Sequence, residues 1–345
     1  EQSELNAYDH LLRSRPAETM DERLLLVEIT EDDVQSQPVS ERGDASLSDR
    51  ALEELLEIIK EHDPAVIGLQ IIRERATERD QLKDLLQLPN FFASCKYEVL
   101  TPDPETSIFV EQPGFFPPPE VPKSHISFIN IPDPEADKGR RHLFSTLNNS
   151  SQCPTRYSLD FVLAKYYLKQ QNIDLQLLAK NTRQKFGEQS FRLLSHQSSA
   201  YHNLNSNGYQ IMLNYRSNKS PFHTLSLSQV LTGDFNPDFI KGKVVLIGTV
   251  APSFKVHAMP TPYGHDRQIS GLEMRGHMVS QIISASLDNR TLIWWWSSPI
   301  ETLWVFLWSI LGGLLAWRFN TPLPLELNER LAMDYLYVVC WFVYP

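Results

Sequence analysis

Nothing in the first 290 residues is apolar for long enough to cross a bilayer, and motifs that announce an enzyme, a nucleotide site or a metal centre are missing. Neither G-x-G-x-x-G nor G-x-x-x-x-G-K occurs, so the phosphate cradles of dinucleotide and triphosphate binders are absent. No C-x-x-C or H-E-x-x-H spacing offers zinc a ligand set. Nucleophile elbows and paired catalytic carboxylates are lacking too. Ser195 next to His196 is no catalytic arrangement, because neighbours in sequence need not face one another. The expectation is a chain without catalytic activity, resident metal or cofactor. Clustered positive charge is also missing. With 32 Lys and Arg against 42 Asp and Glu, the net charge is -10, and Arg140, Arg141 and His142 form an isolated patch. Nucleic acid is therefore excluded as a partner. Repeats and low-complexity tracts are absent. Cysteine is scarce, with three residues: Cys95, Cys153 and Cys340.

The last fifty residues change character. Ile300 to Trp317 (IETLWVFLWSILGGLLAW) is mostly apolar and carries one charge, Glu301, one residue inside its start. As a helix this run spans about 27 Å, close to the hydrocarbon thickness of a bilayer. Trp294, Trp295 and Trp296 precede it and Trp317 closes it, as aromatic residues do at membrane interfaces. A helix buried in a soluble core is rarely apolar on every face for so long. A polar turn, Asn320 to Arg330, then leads into Leu331 to Tyr344, apolar except for Asp334 and short for a crossing. The organisation expected is a folded body over 1–290, an aromatic juxtamembrane segment with a transmembrane helix over 291–319, and a turn with a truncated second span over 320–345. The chain starts at Glu1 without an initiator Met, so both ends are expected to be cut or processed.

The first half of the body alternates strand and helix. Leu24 to Ile29 (LLLVEI) and Ala65 to Ile72 (AVIGLQII) are nearly continuously apolar, as strands covered on both faces are. A helix from Arg50 to Glu61 lies between them, capped by Ser48 or Asp49, with Leu52, Leu55, Leu56 and Ile59 on one face. A second helix, Glu78 to Leu86, leads to a third strand at Phe91 to Tyr97. This β-α-β-α-β order predicts an α/β fold: a mixed, partly parallel sheet with helices on its faces. Pro102 to Pro122 can be neither helix nor central strand and reads as an ordered excursion over the surface or between lobes. Ser127–Ile131 and Arg141–Thr146 flank a turn and are expected to pair as a hairpin or strand pair. Leu159 to Leu168 is the clearest helix of the middle, and 171–207 reads as an insertion with short strands. Tyr209 to Tyr215, Lys243 to Ile247 and a helix over Met274 to Leu287 complete the body, with Asn289 closing that helix.

Ligands in α/β folds bind beyond the carboxyl ends of the strands, which directs attention to the turn at Gly248, Thr249, Val250, Ala251 and Pro252. Two readings stand side by side. Gly248 allows close packing while Pro252 shapes the turn, or Gly248 and Thr249 rim a small-ligand pocket. Lys255, His257, Tyr263, His265, Asp266 and Arg267 follow in a loop and could hold an anion or polar ligand, although exposed loops carry such residues without function. Asp133, Glu135 and Asp137 make an acidic turn without the EF-hand spacing and read as solvated. Asn149 heads an N-S-S sequon, which matters only in a glycosylating pathway. Cys340 reads as an apolar filler. Cys95 and Cys153 are either two unrelated buried thiols or a disulfide, the latter if the body faces an oxidising space.

Several segments together resemble the CHASE type 2 family (cyclases/histidine kinases associated sensory extracellular), as found in cyanobacterial membrane signalling proteins. They include YDHLLRSRP at Tyr8, DERLLLVEITEDD at Asp21, PAVIGLQIIRE at Pro64 and PDPEADKGRRH at Pro132. Further on come IMLNYRS at Ile211, SLSQVLTG at Ser226, GKVVLIGTVAPSFK at Gly242, PTPYG at Pro260, HMVSQIISASLDNR at His277 and GGLLAWRF at Gly312. They cover most of the chain in family order. The resemblance implies an extracytoplasmic input module, periplasmic or lumenal, held after an amino-terminal span and followed by about three spans. It implies a cytoplasmic output domain outside this chain and a small ligand or protein partner of unknown identity; the bilayer is the partner expected from the apolar run, and a homodimer is an expectation for any transmembrane signalling unit. It favours the Cys95–Cys153 bridge. The chain departs from the family pattern at Gln70, where an Asp is usual, at Val256, likewise, and at the helix start Ser270, Gly271, Leu272 and Arg275, where a Pro and a His are usual. Arg275 thereby joins Gly248, Thr249, Lys255, His257 and Tyr263 as a candidate ligand-binding residue.

Overall fold

The computed structural model describes residues 2–102, 109–132, 137–147, 150–176, 183–186, 189–196, 198, 200–201, 204, 208–254, 260–263 and 269–319. The chain divides into a larger unit, residues 15–194 and 206–293, and a smaller one, residues 1–14, 195–205 and 294–345.

The larger unit is built on a six-stranded sheet. Its strands are β1 (Leu24–Ile29), β2 (Val66–Gln70), β3 (Phe91–Cys95), β4 (Ile126–Phe128), β7 (His223–Ser226) and β8 (Val244–Thr249), in the order β7-β1-β8-β2-β3-β4. Every neighbouring pair runs parallel. β5 (Arg141–Ser145) and β6 (Tyr209–Met212) form a separate antiparallel pair.

The apolar runs of the sequence are explained by cover on both sides. Leu25, Val27, Ile29, Ile67, Leu69, Val245 and Ile247 turn towards one cluster. Against them lie α2 (Asp49–Glu61) and α3 (Asp80–Leu86), through Leu52, Leu55, Leu56, Ile59, Leu82, Leu85 and Leu86. Leu24, Leu26, Val66, Val244 and Leu246 alternate to the opposite face. They pack on α4 (Leu159–Gln170) and α6 (Gly271–Asp288) through Leu159, Phe161, Leu163, Leu272, Val279 and Ile282. Gly68 permits that approach, since an added Cβ would lie 2.5 Å from Leu163 Cδ1. Local chemistry sets the ends of the helices. Ser48, Ser158 and Ser270 cap α2, α4 and α6 by accepting from Ala51, Phe161 and Glu273 N–H. Ser226 caps α5 (Leu227–Thr232), and Gly233 ends it in the left-handed region at φ 73°.

The structure corrects two readings of the sequence. Ser127–Ile131 and Arg141–Thr146 do not pair with each other: β4 extends the parallel sheet beside β3, and β5 takes β6 as its partner. Each strand finds its backbone partners across the fold, which the turn between them does not dictate. Asp137 is not solvated; it is 5% exposed and accepts from Arg141 Nε at 2.7 Å. Asp133, Glu135 and Asn149 lie outside the described residues. The excursion after β3 carries a two-stranded antiparallel pair, Val99–Pro102 with Phe109–Gln112. Cys95, ending β3, and Cys153, ahead of α4, are joined by a disulfide with Cα atoms 5.3 Å apart.

The smaller unit contains α1 (Gln2–Ser14), with Leu5, Tyr8 and Leu12 buried, and α7 (Ser298–Phe319). Pro299–Arg318 is long and apolar enough to cross a membrane, and none of it is buried. Val305 and Phe306 are each 60% exposed, so the helix presents bare hydrocarbon all round, with Trp304 and Trp308 in edge-to-face contact along it. A water-facing helix would carry a polar stripe.

Candidate functional site

Near the carboxyl ends of the parallel strands, Ser226, Glu28, Gly248 and Gln70 stand in register on four neighbouring strands. Glu28 follows Leu24 and Leu26 in the alternation, which puts it on the face covered by α6. The first turn of that helix rests on this row. A Cβ on Gly248 would come 2.8 Å from Leu272 Cδ1, so the glycine is there to let the helix down onto the sheet. Thr249 is engaged with Ser46, hydroxyl to hydroxyl at 2.6 Å. Among the described residues, the buried side-chain oxygen of Gln70 has no donor.

Beside the row a pocket of about 330 Å³ opens between the edge of the sheet and α6, lined by Met20, Leu26, Glu28, Phe222, His223 and Glu273 among others. Glu28 is the unusual member: a half-buried carboxylate whose pKa is raised, first by burial and then by the charge of Glu273. Glu273, in the first turn of α6, lies 3.7 Å from His277 Nε2 one turn on. The His277 Nδ1 accepts from Arg216 N–H at 3.2 Å, and Phe222 meets the ring at a centroid distance of 5.1 Å.

Of the candidates named from sequence, Gly248, Thr249, Tyr263 and Arg275 are among the described residues, and none of these four lines the pocket. Gly248 and Thr249 serve packing and a hydroxyl contact. Tyr263 meets Tyr215 edge-on at 5.9 Å, in a small cluster with Leu213, Ile269, Met274 and Met278. Arg275 is 1% exposed, and its guanidinium donates to Asp160 Oδ1 and to the Ile129 carbonyl. The same Asp160 receives Ser158 Oγ at 2.8 Å and contacts His142 Nε2. Burial alone would raise the Asp160 pKa; His142, Arg275 and Ser158 outweigh it and hold the carboxyl at about 2. Lys255 and His257 lie outside the described residues, as do His265, Asp266 and Arg267. Sequence reasoning missed Glu28 and Glu273. A charge inside LLLVEI was the available signal, since a strand covered on both faces has no ordinary place for one.

The family model of the CHASE2 domain matches residues 1–314, nearly the whole chain. The chain belongs to the CHASE2 domain family. That family is one of extracellular sensory domains. No curated protein and no solved structure matches the chain. Within this CHASE2 domain, Glu28 is expected to lower stability. A carboxyl whose folded pKa lies above its ordinary 4.5 favours folding below that value, and the contribution is lost as pH rises through the folded pKa. Glu28→Gln should therefore raise the Tm at pH 7, with the gain vanishing by about pH 4. Thermal melts across that range test this; an equal gain at both ends would refute a titrating cause.

Proposed function

We propose that this CHASE2 domain is the non-catalytic, extracytoplasmic input domain of a membrane signal-transduction protein. A small ligand or protein partner engages the pocket beside Glu28 and Glu273, α7 lies in the bilayer, and a cytoplasmic output domain outside this chain receives the signal. One observation carries the reading: the helix that presents Glu273 to the pocket runs unbroken to Asp288, and after residues 289–297 the chain begins its bare apolar helix. A ligand that prefers one placement of α6 would shift the population of states, and the chain is continuous from there to the membrane-spanning segment.

A second reading has its own support. Arg275 stands where the family pattern has a His, and it is consumed by a buried ion pair; Gln70 replaces a usual Asp. A membrane-anchored scaffold or dimerisation domain that binds no small ligand would tolerate both. The deciding experiment is a structure of the intact protein in lipid with native small molecules retained. Density among Glu28, His223 and Glu273 supports the input domain. A vacant pocket together with a symmetric dimer, confirmed by sedimentation, supports the scaffold.

A further inference from the structure

The segment by which the chain comes into the larger unit and the one by which it leaves are tied to the same loop. That loop, residues 213–218, follows β6. On the incoming side, Arg15 donates to the Asn214 side chain and to the Tyr215 carbonyl at 2.6 Å. Glu18 exchanges backbone hydrogen bonds with this loop, its N–H donating to the Ser217 carbonyl at 2.7 Å while its carboxylate accepts from Ser217 N–H at 3.0 Å. On the outgoing side, Arg290 donates to the carbonyls of Asn214 and Tyr215 at 3.0 and 2.9 Å, and Asn214 Nδ2 donates to the Thr291 carbonyl at 2.8 Å.

The two sides also hold each other. Arg290 grips the Glu18 carboxylate with two donors, at 2.6 and 2.9 Å. Arg23 bridges Asp21 and Asp288, each at 2.7 Å, and Ser280 Oγ donates to Asp21 at 2.6 Å. Arg216 of the loop adds the Thr19 carbonyl at 2.9 Å and Asp21 at 3.3 Å. Burial would raise the Glu18 pKa, but Arg290, Ser217 N–H and Arg15 together hold it at about 2, so the clamp stays charged at any physiological pH. Bidentate, charge-assisted bonds of this kind are the stronger and more geometrically specific class. Asp21 and Asn214 are 2% and 4% exposed, which shields them from competing water.

We propose that residues 15–23 and 280–291 form one cooperative unit, locked by this charge clamp, so that the domain transmits by moving its incoming and outgoing segments together. Sliding of one against the other would break at least the Glu18–Arg290, Arg23–Asp288 and Asp21–Ser280 contacts at once. The word "transmits" rests on the input-domain reading; the lock itself does not, and its test needs no ligand.

The test is native-state hydrogen exchange by mass spectrometry on the full chain in lipid nanodiscs. In the wild type, both segments should lose protection along one common denaturant profile, because one opening exposes both. Glu18→Gln should speed exchange in 15–23 and in 280–291 by the same factor, on the order of ten- to a hundredfold, the range for losing hydrogen bonds to a charged group. Strand 244–249 should keep its protection, and Glu54→Gln, which removes an exposed pair on α2, should change nothing in either segment. Two separate wild-type profiles, or faster exchange on the Glu18 side alone, would overturn the proposal. The wild-type profiles decide the matter even if the variant folds poorly.

Discussion

Replacing Arg275 by Met should lower the unfolding free energy by about 3–5 kcal/mol, the range for a buried ion pair that loses one member. The carboxylate of Asp160 would remain at 1% exposure with its nearest cation gone. Burial lowers the Arg275 pKa from its ordinary value, yet an arginine starts so high that it stays protonated, and the pair is ionic. The double variant Asp160→Asn with Arg275→Met should recover much of the loss, because no uncompensated charge is left inside. Acid unfolding gives a second reading of the same site. Asp160 has a folded pKa of about 2 against an ordinary 3.8, so its contribution is present above 3.8 and lost as pH falls through about 2. In the double variant the stability curve should be flatter across that window. Denaturant titrations at pH 7 and pH 2.5 measure both effects; a single variant within 1 kcal/mol of wild type would show that His142 and Ser158 suffice to hold the carboxylate.

Breaking the Cys95–Cys153 link should cost almost as much. The bonded residues are 58 apart in sequence. Loop-closure entropy for a ring of that size corresponds to about 4 kcal/mol at 25 °C. The paired variant Cys95→Ser with Cys153→Ser should fall by that amount, or by somewhat more, because each serine would put a hydroxyl into the apolar cluster beneath β3. Both sulfur positions are nearly sealed, at 0% and 1% exposure. Reductant should therefore leave the folded protein oxidised and act only once denaturant opens it. Thiol counting by mass spectrometry at increasing denaturant follows this directly. Rapid reduction of the native protein would mean that the region around β3 opens locally.

How far the sequence spoke depended on whether a feature was local. LLLVEI and AVIGLQII were recognisable as strands because a parallel strand with helices on both faces needs apolar side chains at successive positions. Helix α2 announced itself through a cap at Ser48 or Asp49 and an apolar face, and both are local patterns. Partner choice is not local. Arg141–Ser145 looked able to pair with the strand just before it, yet its backbone bonds run to Tyr209–Met212. Arg275 stands among the ligand-binding candidates because it occupies the place of a His in the family pattern that the chain resembles. Its partner Asp160 is 115 residues away. Glu28 was visible as a charge out of place, while the row it shares with Gly248 and Gln70 exists only once three parallel strands come into register.

By itself the sequence determined that this chain is α/β, that its body is acidic and carries no catalytic or nucleotide motif, that it resembles the CHASE sensory family, and that one long apolar helix follows the body. The resemblance rests on motif segments in family order and the other properties on periodicity and composition, all of which a linear string records in full. Only the tertiary structure decided which charges meet. It sealed Arg275 with Asp160 and His142, opened a pocket at Glu28 and Glu273, and joined Glu18 to Arg290 just past α6 and Asp21 to Ser280 within it. The reason is physical: the energy of a charge in a protein is set by its distance to other charges and to water, and folding creates those distances.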